Sequence, residues 1–389
     1  MHGIFKLVAV SDLHFGNPRI SSEQLYLKLK KILYPELRDT HLVVIAGDLY
    51  DQLLTVSSKA HRYAAMFIAD LFRFSARTGC QIRILHGTYT HDRDQLSVFS
   101  TLALPQTRYK IINEISCEEI TDFRYLGEQL NLKLRVGYLP DNLSYKHSED
   151  AVAHLQRSMT CCGWNTLDLL VGHGAFAHTL PVDANHRPPC LYTHEQFKNL
   201  VQGPIVMGHI HVHSRKYNIY YCGSFDRMAH GEEEPKGFYV FTRDDANREG
   251  WRTRFVVDTL ATPFISIQPE GTDLSAISSN FLEQMDEKFP TRSGFVRVIH
   301  KSPEVRSLLH RVSVQHFPEV VYSSKSTGEQ DTDKIRVDEI SLDICDEVRP
   351  DIHNLGGLVC QYLEENNLLD SLTREQILDR MQRLLDNLI

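Results

Sequence analysis

The chain has 389 residues, 42% of them hydrophobic and 24% charged, with a net charge of −8. That length exceeds one ordinary hydrophobic core and fits two or three domains. The balance is that of a soluble globular protein without an apolar run long enough to cross a bilayer, and the acidic charge argues against a broadly basic nucleic-acid-binding surface while leaving room for a local patch or for bound cations.

The first residues, "MHGIFKLVAV", lead straight into an apolar segment without a basic leader or a small-residue cleavage site, so the expectation is a cytoplasmic or nucleoid-associated chain with no membrane association. Eight cysteines are scattered without a C-x-x-C pair, and Cys161 and Cys162 are neighbours. This spacing predicts buried free thiols rather than a disulfide framework or a structural zinc site.

Along the chain, "LVAVSDLH", "LVVIAGD", "IRILHG", "LRVGYLP", "LDLLVGHG" and "PIVMGHIH" read as buried strands whose C-terminal ends carry polar residues. Helical patterns alternate with the early ones, near 21 to 33 and again where Val56, Ala60, Tyr63, Ala64, Phe67, Ile68, Leu71 and Phe72 form one apolar face. Strands alternating with helices predict a layered α/β domain over residues 1–241. The polar run "TRDDANREG" marks a connection. After it, "PFISIQ", "GFVRVIH" and "EVVYSS" predict a small α+β domain over 255–325. Residues 326–345 read as a linker and connecting strand. Two amphipathic helices follow in 346–389. The first has Ile352, Leu355, Val359, Tyr362 and Leu363 on one side; in the last, Thr373 and Gln376 have capping-box spacing and Leu372 and Ile377 can form a hydrophobic staple. Such a pair either packs on its own domain or serves as a partner-binding helix-loop-helix.

The chemistry-bearing residues recur at strand ends: Asp12 and His14 in "SDLHFG", Asp48 in "AGDLYD", His91 and Asp92 in "LHGTYTHD", His173 in "VGHG", and His209 and His211 in "MGHIHVH". A lone D-x-H is a weak signal that a solvated loop explains. Five such strand ends are a stronger one, because in a layered α/β domain the strand C-termini share an edge where ligands bind. Imidazole together with carboxylate suits a divalent ion such as Mn²⁺, Fe²⁺ or Zn²⁺ better than an all-oxygen calcium cage. The ligand count fits two ions, with Asp48 as the bridge.

This ordered set, D-x-H, G-D-x-x-D, a His-Asp loop, G-H and G-H-x-H over residues 12 to 211, resembles the calcineurin-like metallophosphoesterases, and "YCGSFDRMAHGEEEPKGFYVF" at 221 to 241 resembles the segment closing the nuclease domain of SbcD-type double-strand-break repair nucleases. The resemblance implies a sandwich of two sheets flanked by helices, followed by the small capping domain and the C-terminal helical pair. It implies two metal ions, most naturally Mn²⁺: Asp12, His14, Asp48 and His211 on one, and Asp48, His173, His209 and a loop ligand on the other. It implies a DNA exonuclease and endonuclease for repair and recombination, a homodimer through the helix at 56 to 72, and an SMC-like ATPase of the SbcC type bound by 346–389.

The loop departs from the family's G-N-H-D, since Thr88, Tyr89 and Thr90 stand between Gly87 and His91 where one Asn is expected. Thr90 offers a hydroxyl or a carbonyl, water fills the place, or His91 itself ligates. The reading carried forward has Thr90 as the substituted ligand, His91 as the acid near the leaving oxygen, and Asp92 orienting its ring. A phosphodiesterase for small esters and a non-catalytic scaffold in a repair complex are the alternatives. Asp51 reads as a supporting residue or a loop cap. His86, His178, His194, His213 and His230 read as structural, and Arg215, Lys216 and Arg227 stay between phosphate contacts and solvated turns.

Overall fold

The computed structural model describes residues 3–141, 145, 147–179, 190–244 and 250–327, within the first of two units of the chain, Met1–Lys334. The helix-loop-helix expected over 346–389, and all but the first two residues of the linker expected over 326–345, lie outside the described residues.

Strand Ile4–Val10 shows how the layers arise. Phe5, Leu7 and Ala9 enter one apolar cluster, while Val8 and Val10 enter another on the opposite face, as the two-residue period of a strand requires. Its sheet runs in the order Trp251–Val257, Gly237–Asp244, Ile4–Val10, Leu42–Ala46, Gln81–Leu85, Arg108–Ile112. The last four are parallel. Leu42–Ala46 is buried at every position, which explains why it reads as a continuous hydrophobic run. A second six-stranded sheet runs Ser214–Lys216, Ile219–Tyr221, Ile205–Gly208, Leu169–His173, Leu134–Leu139, Ser116–Ile120, with its four central strands parallel.

The two sheets bury Leu7, Val44 and Leu85 of the first against Val136, Val171 and Val206 of the second. Helices cover the outer faces. Helix Lys59–Thr78 starts where the Ser58 side chain accepts from His61 N–H and ends on Gly79, whose φ of 85° is left-handed. Its Ala64, Phe67, Ile68 and Leu71 pack on Val43 and Ile45 together with Leu25 and Leu29 of helix Ser22–Ile32. Helix Ser148–Cys161 puts Ala151, Leu155 and Met159 against Leu170 and Met207 of the second sheet. The result is a mixed α/β sandwich of two sheets flanked by helices.

Three local expectations change. Val56 precedes the Ser58 cap and is 72% exposed, so it lies outside the helix and off its apolar face. The run "TRDDANREG" joins Gly237–Asp244 to Trp251–Val257, antiparallel partners within the first sheet, so the connection there is internal to that sheet. Beyond it, strands Phe264–Ile267, Ser293–Ile299 and Glu319–Lys325 are all parallel. Helices Leu274–Lys288 and Pro303–His316 supply the two crossovers, as parallel pairing demands. This part is therefore a small β-α-β-α-β unit rather than an α+β one. Its core holds Ile267, Phe281, Met285, Val296, Val298 and Leu309.

Among the described residues no helix is long and apolar enough to cross a membrane. All six described cysteines are free; Cys80 and Cys222 are buried, whereas Cys161 and Cys162 are exposed, against the expectation of burial.

Phe67 is fully buried in the helix-covered core. Phe67→Ala is expected to lower stability by about 3–5 kcal/mol, and Val56→Ala by less than about 0.5 kcal/mol, as read from urea unfolding followed by circular dichroism. Equal losses would place Val56 on the packed face after all.

Candidate metal centre

The parallel strands of both sheets end at one rim, and hydrogen bonds tie the two sets of ends together. His173, the last residue of Leu169–His173, places Nδ1 2.8 Å from the carbonyl of Ala46, the last residue of Leu42–Ala46. The Asp12 amide donates to Gly47 O at 3.1 Å, and the amides of Leu13 and His14 donate to Asp48 O at 2.9 and 3.1 Å. The chain turns sharply at each of these points. Of the nine described non-glycine residues with positive φ, four are expected site residues: Asp12 at 51°, His14 at 50°, Asp48 at 50° and His209 at 86°. Side chains rarely adopt that conformation, and each instance costs on the order of 1–3 kcal/mol. Close approach matters at Gly87 for a different reason: a Cβ there would stand 2.0 Å from Asp48 Oδ1 and 2.2 Å from its amide nitrogen.

Asp48 is the hub. It is 1% exposed. Its Oδ1 accepts from the Thr88 amide at 2.6 Å, and its Oδ2 accepts from the Thr88 hydroxyl at 3.2 Å. Three imidazoles face it: His91 Nδ1 at 2.9 Å and His14 Nε2 at 3.8 Å from Oδ2, and His173 Nε2 at 3.3 Å from Oδ1. Asp12, fully buried, takes the His209 amide on both oxygens at 3.0 and 3.2 Å and also accepts from Ser11 Oγ.

Besides His91, three histidines place Nδ1 against an oxygen: His173 the Ala46 carbonyl, His14 the Asp51 carboxylate at 3.2 Å, and His211 the Glu232 carboxylate at 3.1 Å. Where a cation takes the place of any proton on Nε2, the proton kept on Nδ1 leaves each Nε2 lone pair turned inward, an arrangement that fixes the tautomer of a metal ligand. His14 Nε2 and His211 Nε2 then stand 3.1 Å apart. Two lone pairs at that distance repel unless a proton or a cation lies with them. Ligand nitrogens at about 2.1 Å from one ion span such an edge. The donor set of imidazole nitrogens and carboxylate oxygens suits a divalent transition ion. Three overlapping groups have ligand atoms within 4.8 Å of one another: Asp12, His14 and His211; His14, Asp48 and His91; Asp12, Asp48 and His173.

Charge in this pocket is strongly perturbed. Burial alone would raise Asp48, but the charges and hydrogen bonds of His173 and His91 hold its carboxyl well below the usual range. Burial opposes a charged His173, yet Asp48 beside it carries that imidazole up to about 10. Asp92 is pushed up to about 6 by burial and by the neighbouring charge of Asp48, against the pull of the Gly87 and Tyr50 amides.

The sequence-predicted residues converge, with changes of detail. Asp12, His14, Asp48, His91, His173 and His211 gather in the three groups, with His91 beside His14 and Asp48. His209 comes to the site through its amide on Asp12, and its ring stands edge-on to His173 at 5.3 Å. Thr90 does not reach Asp48: it is exposed in the short helix Tyr89–Asp92, and Thr88 makes the contacts instead. The physical reason is that Tyr89–Asp92 form a helical turn that carries Thr90 outward, while Thr88, directly after Gly87, faces Asp48. Asp92 accepts from the Gly87 and Tyr50 amides at 2.8 and 3.1 Å, while the carboxylate at His91 Nδ1 is that of Asp48. Asp92 thus braces the loop.

Two contributors escaped the sequence reading. Thr88 was legible as the residue next to Gly87. Glu232 lies in "GEEEPKG", where an acidic residue four before a lysine reads as surface charge. Among the other histidines, His213 stacks on Phe255 and His194 on Tyr217, each at 4.0 Å, and His230 packs on Phe264 at 5.4 Å. Arg227 donates to Ala261 O at 3.2 Å, a structural tie. Arg215 lies over the Tyr220 ring at 5.0 Å.

The raised imidazole sets a pH dependence for the metal-free protein. The stabilising contribution of His173 is complete below its ordinary 6.5 and lost as pH rises through about 10, while that of Asp48 is complete above its ordinary 3.8 and lost as pH falls through its lowered value. In EDTA, wild type is expected to melt above His173→Asn at pH 6, with the gap closing toward pH 10. A gap that widens with pH would sink the charged pair.

No protein-family model matches this chain, and no curated protein matches it. A solved crystal structure aligns with it at 12% identity, covering 65% of this chain and all (100%) of its own, with a TM-score of 0.35. That likeness carries no argument about function.

Proposed function

We propose that the protein is a Mn²⁺-dependent DNA nuclease that hydrolyses phosphodiesters with two divalent cations, as part of an SbcCD-like end-processing complex. The observation that carries this reading is the pocket around Asp48, where a buried carboxylate and the inward nitrogens of His14, His173 and His211 leave a cation as the natural occupant. The resemblance of the motif order to SbcD-type nucleases is what suggests the reaction class and the DNA substrate.

When bound, a pair of cations would supply Lewis acidity toward the phosphoryl oxygens and acidify water. Asp12, His14, His173 and His211 would hold them, with Asp48 shared between the two. Thr88 and the turn at Gly87 keep the Asp48 carboxylate in place by an amide and a hydroxyl bond. Water gives up one proton to solvent as its oxygen adds to phosphorus in line and the bond to the departing sugar oxygen breaks, and His91, starting as the imidazolium, gives that oxygen its proton. The His91 ring is steadied at Nδ1 by Asp48. The same contact favours a second reading of this residue, as a ligand alongside His14 and Asp48. The proposed partners are DNA, a second copy meeting along helix Lys59–Thr78, and an SMC-like ATPase on 346–389.

Linear duplex and hairpin DNA, incubated with Mn²⁺, are expected to be cut by wild type and not by Asp48→Ala. Cleavage of bis(4-nitrophenyl) phosphate without cleavage of either DNA would move the protein to the small-ester phosphodiesterases, and no hydrolysis by a cation-loaded protein would make it a scaffold.

His91→Ala separates the two roles of that residue. Cleavage is expected to fall by about 10²–10⁴-fold while equilibrium dialysis still finds the full complement of cations. Loss of one equivalent assigns His91 to the ligands.

A further inference from the structure

The pocket rests on a second pair of side chains that the cation reading does not use. Glu232 stands behind His211, its Oε1 3.1 Å from Nδ1. Its other oxygen accepts from Lys236 Nζ at 2.9 Å and from the Met228 amide at 3.2 Å. Lys236 is 1% exposed, a burial that lysine tolerates only when paired. It makes a further bond, from Nζ to the backbone carbonyl of His211 at 2.9 Å. The pair therefore grips His211 at both the ring and the main chain.

We propose that Glu232 and Lys236 are positioning residues that hold the His211 ring with Nε2 turned toward His14, and so set the affinity for one of the two cations. The inference rests on the metal-centre reading and adds to it. Three donors converge on Glu232: His211 Nδ1–H, the Lys236 ammonium and the Met228 amide. Only a carboxylate meets them all, because an amide would turn an NH₂ toward one of them. Lys236 in turn fixes the carboxylate, since without it that group is buried with one charge uncompensated. His14 has a matching support in Asp51, itself held by Asn17 at 2.8 Å, so the facing nitrogens are oriented from both sides. Carboxylates behind ligand histidines of this kind fix the tautomer and raise basicity, and losing one weakens metal binding by about 10–100-fold.

The test is titration of the full-length, metal-stripped chain with Mn²⁺ alone, followed by calorimetry and by equilibrium dialysis. In Glu232→Gln one of the two cations is expected to bind about 10–100-fold more weakly while the other binds as in wild type. Where that variant does not fold, Glu232→Asp withdraws the carboxylate by about 1.5 Å and keeps the charge beside Lys236; the same selective loss is expected. Unchanged affinity at both sites, or an equal loss at both, overturns the positioning role. A wild type that takes up no cation overturns this inference together with the metal centre. One that binds two cations but cuts no diester overturns the nuclease reading alone.

Discussion

One buried carboxylate organises this molecule's rim. Asp48 is almost fully buried yet its carboxyl is held well below the usual range, and an isolated carboxylate there would be costly by several kcal/mol. The amide and hydroxyl of Thr88 and the imidazoles of His91 and His173 make it tolerable. Together with Asp48 itself, those partners come from three separate stretches of chain. Their convergence requires both sheets to stack with their strand ends level, and the apolar layer shared by Leu7, Val44, Val136 and Val171 is what achieves that.

The backbone records what such convergence costs. Left-handed turns at Asp12, His14, Asp48 and His209 are strained for residues with side chains, and the surrounding parallel strands over-determine them. A residue at such a turn projects its side chain away from the sheet's own core, which is how a carboxylate or imidazole reaches the rim from an otherwise apolar strand. Supporting groups then fix direction: Ala46 O behind His173, Asp51 behind His14, Glu232 behind His211. A pocket built this way gathers carboxylate oxygens and imidazole nitrogens in groups that could hold a metal ion.

Much of the framework was legible. The six apolar runs are strands at the expected places, because strands buried on both faces need continuous apolar sequence. The helix carrying Ala64, Phe67, Ile68 and Leu71 was equally clear from its period. Edge strands were not: Arg108–Ile112 and Ser116–Ile120 are mostly half-buried and mixed in character, and Ser214–Lys216 is short and polar. The direction of pairing in the small unit was also hidden. It depends on how the chain crosses between strands, and the strands' own composition does not show it.

What the sequence by itself determined is which polar residues lie at or just beyond the ends of apolar strands, Asp12, His14, Asp48, His91, His173, His209 and His211, because apolar periodicity dictates where strands end. Only the tertiary structure decided who touches whom. Thr88 rather than Thr90 meets Asp48, since the helical turn Tyr89–Asp92 carries Thr90 outward. Asp92 holds amides instead of a ring, and Glu232 comes in from a charged stretch to stand behind His211. Such contacts depend on the stacking of two sheets and on the turns between distant segments, and local spacing along a chain carries no record of either.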